Sequence, residues 1–121
     1  MFRHNHRNYE DPIPLSLRQA EDLLNSDNQA DAARACVSLA MYETDVERVV
    51  QVLRDVALDM RREVSLRALA ITCFGHLVRR SPGVGLTAIC ETLQSLMAET
   101  ALFGAIDDAM DDIKIFSAKS G

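Results

Sequence analysis

Tryptophan is missing from this chain, and four Phe and two Tyr are its whole aromatic complement, so core filling falls to Leu, Val, Ala, Ile and Met. Glycine and proline are scarce, at five and three, and no Gly-rich phosphate loop or Walker sequence is present. The three cysteines, Cys36, Cys73 and Cys90, are odd in number, lie in apolar stretches, and show neither CxxC nor Cys-His ligand spacing. They read as buried free thiols suited to a reducing compartment. Long apolar runs are absent as well: the longest, Ala68 to Val78, includes His76 and is about half of the ~20 residues a membrane span requires. Met1 to Pro14 lacks the apolar centre of a signal peptide. The chain is therefore read as soluble and cytoplasmic, with no membrane partner. An excess of positive charge is also lacking: 18 acidic against 13 basic residues give a formal charge of −5. That argues against a nucleic-acid partner, which demands clustered cations, and for a basic protein partner. With no Ser-His-Asp or Cys-His pairing in view, the expectation is a protein without catalysis, cofactor or metal.

What is present is helical periodicity across a length of 121 residues, enough for one self-sufficient core. Residues 1–14 read as a flexible segment carrying Arg3, His4, His6 and Arg7; 15–116 as one domain; and 117–121 as a loose tail. Six helices are expected. The first, about Ser16 to Asn25, has Leu17, Ala20, Leu23 and Leu24 in a stripe; the second, capped by Asp27 and ending near Tyr42, turns Ala33, Cys36, Val37, Ala40 and Met41 to one face. Thr44-Asp45-Val46-Glu47 fits a capping box opening a third helix, Asp45 to Met60, whose stripe of Val46, Val49, Val50, Leu53, Val56, Ala57 and Met60 is broad enough for a central position. The fourth, about Glu63 to Arg80, presents Leu66, Leu69, Ala70, Cys73, Phe74 and Leu77, with Arg79 and Arg80 in its last turn. The fifth, about Gly85 to Ala98, uses Leu86, Ile89, Cys90, Leu93 and Leu96 or Met97. The sixth, from about Thr100 to Phe116, uses Leu102, Phe103, Ile106, Ala109, Met110 and Ile113. No segment alternates as a strand does, so the fold class is all-α.

Short echoes recur 33 residues apart: Arg34-Ala35-Cys36, Arg67-Ala68-Leu69 and Thr100-Ala101-Leu102, with Ala20, Leu53 and Leu86, then Leu23, Val56 and Ile89, then Leu24, Ala57 and Cys90 in the same register. Such a period predicts stacked antiparallel hairpins, an architecture that builds binding surfaces. Asp31-Ala32-Ala33-Arg34-Ala35 and the stretch from Glu63 to Ala70 resemble the Val-Arg-x-x-Ala start of the second helix in HEAT-like repeat proteins, over roughly Leu15 to Ile113. The resemblance implies a right-handed α-solenoid in which Arg34 and Arg67 pair with loop aspartates, Asp27 and Asp59 being nearest. An irregular helical bundle stays open as the alternative.

The sharpest chemical feature is Asp107-Asp108-Ala109-Met110-Asp111-Asp112, whose spacing sets Asp107 with Asp111 and Asp108 with Asp112 in two acidic rows on one helix side. These four are the candidate partner-binding residues, able to occupy the phosphate track of a basic cleft. A solvated outer face is the alternative, as is a divalent-metal site, because Asp-Asp-x-x-Asp resembles the motif of isoprenoid synthases, which also need a longer chain and a second acidic motif. The Arg61-Arg62 and Arg79-Arg80 pairs, without aromatic interleaving, read as solvated helix ends, and His76 as a surface group. The function these features predict is a non-catalytic binding module, most concretely an immunity or inhibitor protein covering a bacterial toxin, a nuclease by preference. The alternative is an adaptor or chaperone subunit that holds a partner helix in a hydrophobic groove.

Overall fold

The computed structural model describes residues 14–120, and among them are six α-helices, one 3-10 turn and no strand. The helices are α1 (Leu17–Leu24), α2 (Gln29–Tyr42), α3 (Val46–Leu58), α4 (Val64–Arg80), α5 (Leu86–Leu96) and α6 (Phe103–Ser120); the 3-10 turn Thr100–Leu102 runs straight into α6. The all-α class is thus the observed one. The N-terminal expectations, including Arg3, His4, His6 and Arg7, lie outside the described residues.

Helix starts follow from short polar side chains that satisfy amides the helix itself leaves open. Ser16 and Gln19 form a reciprocal capping box, each backbone amide bonded to the other's side chain at 3.0 Å. The cap of α2 is Asn28, not Asp27: Asn28 Oδ1 accepts from the Asp31 amide at 3.0 Å. The cap of α3 is likewise one residue later than the Thr44 box, since Asp45 Oδ1 accepts from the Arg48 amide at 3.2 Å. In both places an equivalent acceptor stands next door in the sequence, and the backbone path selects between them.

α4 is the most widely contacted helix, packed against α6, α3 and α2. α1 lies on α2, and α5 leans on α3 and α4. The pairs α1–α2 and α3–α4 are tight, whereas the third pair is opened, with α6 held by α4 instead of by α5. The broad stripe of α3 matches this position: Val46, Val49, Val50, Leu53, Val56 and Ala57 are buried, each large one worth about 1.5–3 kcal/mol of transfer free energy. Phe74, Leu77 and Ile71 of α4 are buried with them. Gly85 closes the α4–α5 turn at φ +67°, and a Cβ there would collide with Val50 of α3, so only glycine fits.

The sequence expectations fail at or near helix ends. Met60, assigned to the α3 stripe, lies beyond Leu58 and is exposed; Met41 and Phe103, assigned inward, are exposed as well. α2 instead buries Ala32, Ala35, Ser38 and Leu39 along with Cys36 and Ala40, because it is covered by both α1 and α4. Helix α6 continues to Ser120, through the stretch expected to be a loose tail.

Candidate functional site

α6 carries the acidic run. Ile106, Ala109 and Ile113 are buried toward the body, and Asp107, Asp108 and Asp111 emerge on the exposed side. Asp112 has a different place. Its carboxylate lies over Gly75 of α4, where any side chain would collide with it, and its Oδ2 accepts from Arg79 Nη2 at 3.1 Å. The four residues are therefore together on one helix, but three face solvent and the fourth also clamps α6 to α4. At four-residue spacing, Asp107 and Asp111 fall in a row that begins at Phe103 and ends at Ile115, so two exposed apolar groups bracket two carboxylates.

The arginines do something the sequence did not announce. Arg67 is 2% exposed. Its Nε donates to the carbonyl of Ala57 near the end of α3 at 2.9 Å, and its two Nη atoms donate to Glu99 Oε1 and Oε2 at 3.0 and 2.8 Å. The loop partner implied by the repeat resemblance, Asp59, is engaged by Arg61 and Arg62 instead, and Arg34 pairs with Asp31 one turn away in its own helix. Arg62 Nη2 donates to the Leu24 carbonyl at the end of α1 at 3.0 Å. Arg80 donates to the carbonyls of Ala40 at 3.0 Å and Glu43 at 2.8 Å, closing the end of α2. None of α1, α2 and α3 has a basic residue in its last turn; each takes a cation from the start, first turns or end of α4 to neutralise its dipole and orphan carbonyls. Arg62 and Arg80 are consequently not merely solvated helix ends.

The ion pairs set the titration behaviour. Hydrogen bonding to Arg67 holds the Glu99 carboxyl below its ordinary value, and hydrogen bonding to Arg61 does the same for Asp59. Burial pushes the Cys36 thiol up to about 12 and raises Cys73 as well, so both stay protonated and unreactive. Cys90 is a half-buried free thiol, and His76 is half-buried on the outer side of α4.

Among the described residues, shallow clefts of about 260 and 240 Å³ are each smaller than the ~300–1,000 Å³ usual for small-molecule sites. The larger lies between α1 and α3, and its charged walls are cross-linked by Arg48 and Glu21 at 2.6 Å. Among the described residues no group of three or more His, Cys, Asp or Glu side chains converges as metal ligands would, the aspartates of α6 included. No helix there is long and apolar enough to cross a membrane.

The described residues thus form an all-α body in which Arg62, Arg67 and Arg80 bond helix-end carbonyls, while Asp107, Asp108 and Asp111 stand exposed on α6. No family model matches the chain, and neither does any curated protein. A solved structure does: a chain of the CDI complex from Cupriavidus taiwanensis LMG 19424 is 38% identical, with 90% of this chain and 95% of that one covered and a TM-score of 0.84. The chain belongs to the family of that CDI-complex component.

Proposed function

We propose that this protein is the immunity member of a contact-dependent inhibition pair, a non-catalytic protein that binds its toxin partner and covers the partner's active site. The likeness along nearly the whole length of a chain from a CDI complex carries this reading. Which member of such a pair it resembles is argued from chemistry: among the described residues the groups with a displaced pKa are buried thiols or members of the Arg61–Asp59 and Arg67–Glu99 ion pairs, and Arg61, which lines a cleft, is a guanidinium bonded to Asp59 and no acid or base.

The toxin is proposed to present a basic cleft, as a nuclease does, with Asp107, Asp108 and Asp111 of α6 set against it and Asp112 at their edge. A net charge of −5 favours fast encounter with such a surface. In the same reading the pairs α1–α2 and α3–α4 are HEAT-like repeats, with α6 laid along α4. Co-expression with the polypeptide encoded beside this chain tests the function. Cells survive that polypeptide only when this protein is present, and the two co-purify. Survival without it, or failure of the two to associate, contradicts the reading.

A further inference from the structure

We propose that the partner is anchored on an apolar collar formed by Met60, Val64, Met97 and Phe103 at the turn end of the molecule, with the α6 carboxylates alongside as its charged flank. This rests on the reading of the chain as the toxin-binding member of its pair. Large apolar side chains exposed beyond the usual scatter mark binding surfaces. Here four lie in or beside the two turns that join α3 to α4 and α5 to α6: Met60, 69% exposed, and Met97, 49%, within the turns, and Val64, 46%, and Phe103, 53%, as the first residues of α4 and α6.

One side chain brings those turns together. Arg67 bonds at once to Ala57 and to Glu99. Met60 follows Ala57 by three residues, Val64 precedes Arg67 by three, Met97 precedes Glu99 by two, and Phe103 follows it by four. The collar is therefore borne on backbone fixed by a buried guanidinium, so its side chains can dock without the cost of first ordering their loops. Two methionines give it adaptable surface and Phe103 a stiff anchor. Phe103 is also the first residue of α6, one turn ahead of Asp107, so the apolar collar passes directly into the carboxylate row. Apolar centre beside charged flank is how protein interfaces are built.

The occupant is the toxin domain of the pair, carrying an apolar ledge next to its basic cleft. A second copy of this chain fits less well, since it would bring the carboxylate row of an already acidic molecule near its own duplicate.

The test measures binding kinetics of the purified toxin domain encoded beside this chain to three proteins: the parent; a collar variant with Met60→Ser, Met97→Ser and Phe103→Ser; and an acid variant with Asp107→Asn, Asp108→Asn and Asp111→Asn. The collar variant is expected to bind roughly 30-fold or more weaker, through faster dissociation at every salt concentration, as loss of an anchor does. The acid variant is expected to associate more slowly, chiefly at low salt. If the melting temperature of the collar variant falls, Met60→Ser alone, at the most exposed of these sites, is measured instead and is expected to dissociate faster than the parent. Parent-like dissociation of the collar variant, or of Met60→Ser in that case, overturns the collar while leaving the proposed function intact; no binding by the parent removes the proposed function itself. A parent that dimerises, with a collar variant that is monomeric and still binds the toxin domain unchanged, assigns the collar to self-association and also overturns the proposal.

Discussion

The two charge clusters of this chain, arginines around α4 and aspartates on α6, look alike as sequence and meet opposite fates. Arg62, Arg67 and Arg80 each reach carbonyls at the end of another helix, and Arg79 reaches Asp112. Asp107, Asp108 and Asp111 stay exposed. What lies across the gap decides: a helix C-terminus is a ready partner for a guanidinium, and among the described residues Asp112 alone of the four α6 aspartates meets a cation, Arg79. Of these arginines Arg67 alone is buried, while Arg79 and Arg80 keep part of their surface in solvent even as they bond their partners.

That contrast is sharpened first at Arg67. Arg67→Met removes the carbonyl cap of α3 and leaves Glu99 without its bidentate partner, so it should give the largest fall in melting temperature of any charge substitution in the chain. A variant that melts with the parent would place the buried guanidinium among the dispensable groups. Next comes Arg80→Ala, expected to cost about 1–2 kcal/mol in urea unfolding, because the end of α2 loses a charged cap. Gly75→Ala should follow at about 1 kcal/mol or more, since the added methyl displaces the Asp112 carboxylate from its seat on α4. At the far end of the scale, the triple Asp107→Asn, Asp108→Asn, Asp111→Asn variant should stay within about 0.5 kcal/mol of the parent or gain slightly, as like charges in a row are relieved. A large loss there would show that the carboxylates hold the fold together.

The pH dependence separates the same groups. Because Arg67 depresses the Glu99 pKa in the folded state, the contribution of Glu99 is complete above the ordinary carboxylate value and is lost as pH falls through the lowered one. Asp59 acts in the same direction through Arg61. Stability should hold at neutral pH and decline below about pH 4.5, and the decline should be shallower in Glu99→Gln, as followed by circular dichroism.

Much of the body was legible in the sequence. The positions in 33-residue register, Ala20, Leu53 and Leu86 with their two companion sets, are all buried or half-buried, because apolar spacing fixes which side of a helix faces inward. Caps were legible only to within one residue, since Asp27 and Asn28, or Thr44 and Asp45, are interchangeable acceptors until the turn is built. Arg67 was not legible as a buried group, because nothing local reveals that an arginine four residues into a helix will face the carbonyls of another. Phe103 was misassigned for a simpler reason: it follows Leu102 directly, and a 3-10 turn between Thr100 and Leu102 shifts the phase before α6 begins. Its exposure had a signal all the same, as Phe103 stands four and eight residues ahead of Asp107 and Asp111 on the same row.

The most direct test of an acidic recognition face is the association rate of this protein with the toxin domain encoded beside it, measured across ionic strength for the parent and the triple Asn variant. The account predicts that the parent associates fast at low salt and slows steeply as salt rises, and that the variant is slower and nearly salt-independent. Equal rates and equal salt slopes for the two proteins would contradict it.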